Sequence, residues 1–275
     1  MTQLEDVVTT DFDRTTTLRP ADPTRSDGVR TFAVDLDAGW SSLVGAHGGY
    51  LVAIAVRGAE AVATGRGART ASTSFLRAGV IGPARLEVRE IRRSRSLSTV
   101  VADLLQDDQV VTTSRITLAE DRSGVEWSSP APLPVPPIEQ CVPVDPPGRV
   151  EHLLRVDARL DPASLPFTGG PRAVIRGHLR PFDTRRVDAP WLAMAADWFP
   201  PPAFVRVAPP TGGISVDLTT HLHQPRLDLE EDEWLVGEFE IVTSAGGLAV
   251  EHGRIARRDG TLVSESFQTR WTAGR

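Results

Sequence analysis

Between Tyr50 and Ala63 the chain is apolar on almost every side, interrupted only by Arg57, Gly58 and Glu60. A helix lying on a protein surface keeps one polar face, so a segment apolar all round has to be enclosed. A strand-like run from Thr31 to Leu36 precedes it. Residues 72–77 (STSFLR), 84–93 (ARLEVREIRR), 96–106 (SLSTVVADLLQ) and 110–120 (VVTTSRITLAE) follow, the last two meeting at an Asp107-Asp108-Gln109 turn. Their alternation and β-branched content predict antiparallel strands. One enclosed helix and a run of such strands predict a sheet curved around that helix, an α+β arrangement.

The same order then recurs. Residues 128–148 hold eight prolines and no periodic pattern, which reads as a semi-rigid extended linker. Beyond it lie strand-like segments at 151–160 and 173–182. Asp188-Ala189-Pro190 opens a nearly all-apolar Trp191 to Phe199, and strand-like segments at 215–223, 233–244, 248–260 and 262–271 follow. Asp with Pro shortly after it marks a helix start. Residues 104–114 (LLQDDQVVTTS) align with 255–266 (IARRDGTLVSES), and 73–79 (TSFLRAG) with 219–225 (TTHLHQP), the signature of an internal duplication. The predicted division is therefore an N-terminal unit at 1–127, a Pro-rich linker at 128–149 and a C-terminal unit at 150–275.

Several function classes fall away on composition. With 275 residues, 40% apolar and 24% charged, the chain is globular in character. A formal charge of −6 and no long basic block exclude nucleic acid as a partner. The longest apolar windows, such as Tyr50 to Val56, run about seven residues where a bilayer needs about 20, so no membrane span is expected. The first 30 residues have no apolar core of a secretory signal, which predicts a cytoplasmic protein. Cys141 is the single cysteine, so no intrachain disulfide or CxxC motif exists. No lysine occurs, which excludes Schiff-base chemistry. GWSSLVG (39–45) lacks the spacing of a nucleophile elbow, and TGRGARTAS (64–72) lacks the third glycine of a dinucleotide fingerprint.

Read in order and spacing, HGGYLVAIA (47–55), STSFLRAG (72–79), RRSRSLSTVVADLLQDDQVV (92–111), AMAAD (193–197), ISVDLTTHLHQP (214–225), DEWL (232–235) and DGTLVSESFQ (259–268) resemble the acyl-CoA thioesterase II-like family over residues 30 to 272. The resemblance implies a double hotdog, two tandem repeats each with a long central helix wrapped by an antiparallel sheet. It implies hydrolysis of acyl-CoA thioesters by a carboxylate-activated water, with no cofactor beyond the coenzyme A of the substrate. The catalytic set it implies is an acid at the second helix, a hydroxyl two positions before a strand Asp, and a glutamine on the last strand. These roles fall on Asp197, Ser215 and Gln268. After the strand Asp the family commonly has aromatic residues and a His-Arg-Pro run, where this chain has Thr219, Thr220, His221, Leu222, His223, Gln224 and Pro225, a departure bearing on substrate specificity. It also implies further association into a homo-oligomer, a dimer or tetramer.

The residues fit that chemistry. Burial of Asp197 between Ala196 and Trp198 would raise its pKa, and hydrogen bonds from Ser215 and Gln268 would favour its charge, so it is expected ionised at neutral pH. Gln268 is expected to donate to the developing oxyanion as well. Helix N-terminal N–H groups for the thioester oxygen could come from His47, Gly48 and Gly49 or from the segment near Asp188. Arg92, Arg93 and Arg95 are the candidates for the coenzyme A phosphates. By strand alignment Arg69 and Ile116 replace Ser215 and Gln268 in the first repeat, which makes that repeat non-catalytic. Period-two counting puts Asp217 on the face of Ser215, in a structural role. His221 and His223 share that face too, but without a third ligand no metal site is expected. The alternatives are a non-catalytic acyl-CoA or lipid-binding double hotdog, and an enoyl-CoA hydratase or dehydratase, whose paired Asp and His in one loop are not found.

Overall fold

The computed structural model describes residues 10–22, 26–125, 127–144, 150–183, 185–206, 213–230 and 233–272. After a short helix α1 (Asp11–Thr15), the first half contributes strands β1 (Arg19–Asp22), β2 (Arg30–Leu36), β3 (Gly67–Phe75), β4 (Gly82–Arg93), β5 (Leu97–Gln106) and β6 (Gln109–Ala119), with helix α2 (Gly48–Val62) between β2 and β3. The rest contributes β7 (Val142–Pro143), β8 (Val156–Leu160), β9 (Ala173–Pro181), β10 (Val187–Asp188), β11 (Ile214–Leu222), β12 (Arg226–Leu227), β13 (Leu235–Ala245), β14 (Leu248–Ala256) and β15 (Leu262–Trp271), with helix α3 (Ala189–Ala195) after β10. β10 and β12 pair as a separate small ribbon.

The other thirteen strands form one sheet in the order β1-β2-β4-β5-β6-β3-β11-β15-β14-β13-β9-β8-β7. Its midpoint is the antiparallel pair β3 and β11, with Asp217 opposite Ser74 and Thr219 opposite Ser72. The two repeats thus join edge to edge, and each half of the sheet curves over its own helix. This is a double hotdog.

α2 forms because ten of its residues find apolar partners. Gly49 to Val56, Gly58 and Ala59 are buried against inward-facing Leu86, Val88, Val100, Ala102, Leu104, Ile116 and Leu118. Close approach needs small residues: a Cβ on Gly58 would sit 2.4 Å from Leu86 Cδ2 and 2.9 Å from Val88 Cγ2. Capping completes the helix start, His47 Nδ1 accepting the Tyr50 N–H at 3.3 Å.

The second half departs from the sequence expectation in two places. α3 has only seven residues, and the chain turns at Ala196 before Pro200, Pro201 and Pro202, residues that push their predecessors out of the α region. Asp197 therefore lies just past the helix and not within it. Residues 151–154, expected as strand, form a 3-10 turn, and β8 begins only at Val156. Tertiary contacts override the alternation there: Trp198 Nε1 donates to the His152 carbonyl at 3.0 Å, and the His152 ring stacks on His47 at 4.2 Å. The Pro-rich stretch also lies against the protein. Leu133 is buried with Val236 and Ala256, and His178 Nε2 donates to the Pro136 carbonyl at 2.8 Å.

At the β5–β6 hairpin both Asp107 and Asp108 have positive φ, 47° and 57°, the turn that Asn-Gly favours over two aspartates. Asp108→Gly should relieve about 1 kcal/mol of backbone strain and raise the melting temperature by a few degrees in thermal unfolding, since the exposed Arg85–Asp108 pair it removes is worth little.

Candidate active site

Ser215 reaches the interior through a bulge. Along β11, Leu218, Thr220 and Leu222 point inward, and strict alternation would turn Ser215 outward with Asp217. The register slips between Ser215 and Asp217: Ser215 faces Arg270, and Asp217 faces Thr269. Val216 is the extra residue, and the bulge returns Ser215 to the inner face while Asp217 stays on the outer one. The period-two expectation that these two share a face is corrected here.

On that inner face the structure brings the three sequence candidates together. Gln268 Nε2 lies 2.7 Å from Asp197 Oδ1 and 2.6 Å from Ser215 Oγ. Both hydrogens of its amide are used, so the expected further donation from Gln268 to an oxyanion has none left. The other carboxylate oxygen, Asp197 Oδ2, accepts the Gly49 N–H at 3.0 Å, and His47 Nε2 donates to the Asp197 carbonyl at 2.9 Å. Because His47 Nδ1 accepts the Tyr50 N–H, its proton is on Nε2. Of the two helix starts, α2 meets the acid. Asp188, at the other one, caps its own helix through the Trp191 N–H.

Packing at this junction leaves no room for side chains. A Cβ on Gly48 would lie 2.7 Å from Asp197 Oδ2, and one on Gly49 2.4 Å from the Met194 carbonyl oxygen. Glycines here let the positive end of α2 touch the carboxylate directly.

Asp197 is 95% buried by side-chain area, as is His47. Burial pushes its pKa up, but His47, Arg270, Gln268 and the Gly49 N–H together outweigh burial and hold it below the ordinary carboxylate value. The acid is ionised at neutral pH. Burial has the opposite effect on the histidines: it lowers His47 and takes His152 to about 3, so both are neutral.

Arg270 and Glu251 were not singled out in the sequence, where a charged residue on a terminal strand reads as solvated. Both are 98% buried. Arg270 Nε donates to Glu251 Oε2 at 2.5 Å, and Nη2 to Asp197 Oδ1 at 3.2 Å and Gln268 Oε1 at 2.8 Å. The strict alternation of β15 about Gln268 is the signal that would have placed Arg270 inside.

Arg92, Arg93 and Arg95 are not brought to this site. Arg66, four residues past the end of α2, donates to the Ser94 and Arg95 carbonyls, which places that turn at the far end of a 15-residue helix, about 22 Å from His47. Among the described residues no group of three or more His, Cys, Asp or Glu is arranged to hold a metal, and no helix is long and apolar enough to cross a membrane.

In the first half the matching bulge lies between Ala68 and Thr70, with Ala68 opposite Leu118 and Ala71 opposite Ile116. Superposing the bulges gives Ser215 the counterpart Ala68, in place of Arg69, and Gln268 the counterpart Ile116. Both are fully buried, and neither has a polar side chain to offer.

Residues 131–271 match the model of the acyl-CoA thioesterase C-terminal domain, and residues 36–119 that of the N-terminal domain. The chain belongs to the acyl-CoA thioesterase family. Its activity is hydrolysis of acyl-CoA thioesters, and the hydratase alternative gains no support. Among solved structures, one from Thermobifida fusca assigned as a thioesterase II is 26% identical, with 98% of this chain and 99% of that one covered and a TM-score of 0.83. A hot dog fold protein from Alicyclobacillus acidocaldarius is 22% identical over 98% and 100%, TM-score 0.84. The acyl-CoA thioesterase II TesB2 of Mycobacterium marinum is 19% identical over 96% and 98%, TM-score 0.69. The latter two attest the fold. Comparison with curated protein sequences finds no match.

A histidine whose pKa is lowered on folding stabilises the fold above its unfolded pKa, near 6.5, and that stability is lost as pH falls toward the folded value. His152 alone should remove about 2 kcal/mol between pH 7 and pH 5. Urea unfolding at the two pH values should show that loss, and His152→Gln should reduce it by the same amount.

Proposed function

We propose that Asp197 is the general base that activates water against the thioester, with Ser215 and Gln268 as its partners. The observation that carries this reading is the single amide of Gln268 bridging the Asp197 carboxylate and the Ser215 hydroxyl at the N-terminus of α2. Asp197 Oδ1 already accepts from Gln268 and Arg270, whereas Oδ2 accepts one short bond and keeps a lone pair for a water proton. Water bound there attacks the carbonyl carbon as Oδ2 takes its proton. Negative charge grows on the carbonyl oxygen, and the Gly48 N–H at the start of α2, where the Gly49 and Tyr50 N–H groups are already taken, and the Ser215 hydroxyl are its donors in this reading. Collapse of the tetrahedral adduct breaks the C–S bond, and the proton held by Asp197 goes to the departing thiolate. The products are the free acid and coenzyme A, and Asp197 is again ionised.

Neighbouring apolar residues are the proposed lining for the acyl chain. Phe75 approaches Gly48, with its ring carbon 3.1 Å from the Cβ position there. A non-catalytic binding role fits the site less well, because a carboxylate buried this deeply is costly to keep charged and is ringed by donors that do so.

We also propose a cytoplasmic location and association of two copies. The outer face of β11, β15, β14 and β13 exposes Ile214, Val216, Phe267, Trp271, Val250 and Val242, an apolar patch beside the charged row of His221, Glu265, Arg254, Glu238 and Arg176. The outer face of the first half carries Arg85, Glu87, Arg89, Asp103 and Arg115 instead. An apolar patch on one half alone suits a two-fold contact with itself. Val250→Arg should then halve the mass measured by analytical ultracentrifugation; an unchanged mass, dimeric or monomeric, refutes this interface.

Thiol release should be followed across short, long, branched and aromatic acyl-CoAs in a Cys141→Ser background. Asp197→Asn should lower kcat/KM about 10³-fold without unfolding the protein. Wild-type kcat/KM should stay flat from pH 8 to about pH 5 and fall only as Asp197 protonates below the ordinary carboxylate range, with no limb near 6.5 because His47 and His152 are already neutral. Full turnover by Asp197→Asn excludes the assignment.

A further inference from the structure

We propose that Arg270, clamped by Glu251, is a positioning residue that fixes the direction of every hydrogen bond in the Asp197–Gln268–Ser215 chain and thereby makes Ser215 the donor to the reacting group. This rests on the reading of Asp197 as the base.

A guanidinium can only donate. Arg270 Nη2 donates to Gln268 Oε1 at 2.8 Å, so the Gln268 carbonyl oxygen is held toward Arg270 and the amide nitrogen toward Asp197 and Ser215. A flipped amide would set its NH₂ against the guanidinium and its oxygen against the carboxylate, two repulsive contacts in a buried place. With the flip fixed, Ser215 Oγ accepts from Gln268 at 2.6 Å and from Arg270 Nη1 at 3.4 Å. Among the described residues no acceptor takes the Ser215 proton, which is left for water or the thioester oxygen.

Glu251 limits how strongly Arg270 pairs with the base. It stands directly opposite Gln268 in the β14–β15 register and takes Nε at 2.5 Å and Nη2 at 3.3 Å. Arg270 therefore reaches Asp197 by one contact, at 3.2 Å, and not as a fork. A fully forked pair would hold the carboxylate more tightly and weaken it as a base. Four titratable side chains face Asp197 in this seam: His47 and His152 from the segments before α2 and β8, Arg270 from β15 and Glu251 from β14.

The first half supplies an internal control. Its counterparts of Ser215, Gln268, Arg270 and Glu251 are Ala68, Ile116, Leu118 and Val100, by the paired registers of the two sheets, and all four are completely buried. The same fold closes over an apolar quartet at these places. Packing does not demand the polar one, and a buried ion pair is weak support for stability in any case.

The test copies two of these four positions, Val100 and Leu118, into the second half. Glu251→Val with Arg270→Leu should fold with a melting temperature lowered by a few degrees, since Asp197 and Gln268 Oε1 each lose a donor, lower kcat for thiol release from a good acyl-CoA about 10- to 100-fold with little change in KM, and move the acid limb of the pH profile to higher pH. Glu251→Gln alone, which frees Arg270 to pair more fully with Asp197, should move that limb to lower pH while kcat falls. Opposite shifts are the signature that a merely structural pair would not give. A folded double variant with wild-type kcat and pH profile overturns the proposal. Should the double variant fail to fold, an unshifted limb in Glu251→Gln overturns it. Asp197→Asn separates the two readings: if it is inactive while the double variant is wild-type, Asp197 remains the base and only the positioning role fails.

Discussion

A carboxylate kept charged while 95% buried is the condition around which this molecule is arranged. Taking such a group out of water is opposed by several kcal/mol unless donors replace the lost hydration. Here they arrive from three directions: the Gly49 amide, the Gln268 side chain and the Arg270 guanidinium. Each has its own structural requirement. Glycines at 48 and 49 admit the helix end, the length of β15 carries two polar residues inward, and the short α3 lets Asp197 leave the helix at the level of α2.

The β11 bulge belongs to the same arrangement. A sheet face that is apolar elsewhere must present a hydroxyl at one position, and an inserted residue re-aims Ser215 without disturbing Leu218, Thr220 and Leu222 beyond it. The β3 bulge at the corresponding place turns Ala68 inward instead. Backbone irregularity is common to the two repeats, and side-chain chemistry separates them.

Much of this was legible in the linear pattern. An apolar helix at Tyr50 to Ala63 and the alternation of β5, β6, β14 and β15 announced a sheet wrapped on a helix, because period and burial are properties of local sequence. Asp197, Ser215 and Gln268 were legible through family spacing. What escaped depended on pairing between distant strands. The face of Ser215 relative to Asp217 hangs on a register slip that no single-strand count reveals, and the counterpart of Ser215 shifts from Arg69 to Ala68 for the same reason. Arg270 and Glu251 escaped because a charged residue is ordinarily assigned to solvent, and only the partner strand shows otherwise. The Arg92, Arg93 and Arg95 turn lies at the end of α2 away from the acid, a separation that only the folded chain shows.

The acid and the helix end it touches come from different repeats, 148 residues apart in the chain. In an unfused pair of identical repeats the same geometry would occur twice, and each change in sequence would fall on both copies at once. Fusion breaks that tie. One seam keeps the donors and the acid, and the other, lined by Ala68, Ile116, Leu118 and Val100, is free to vary for packing alone. The outer surfaces of the two repeats can also diverge independently of each other, which is how an exposed apolar patch can arise on one half of a single chain and not at the matching place on the other.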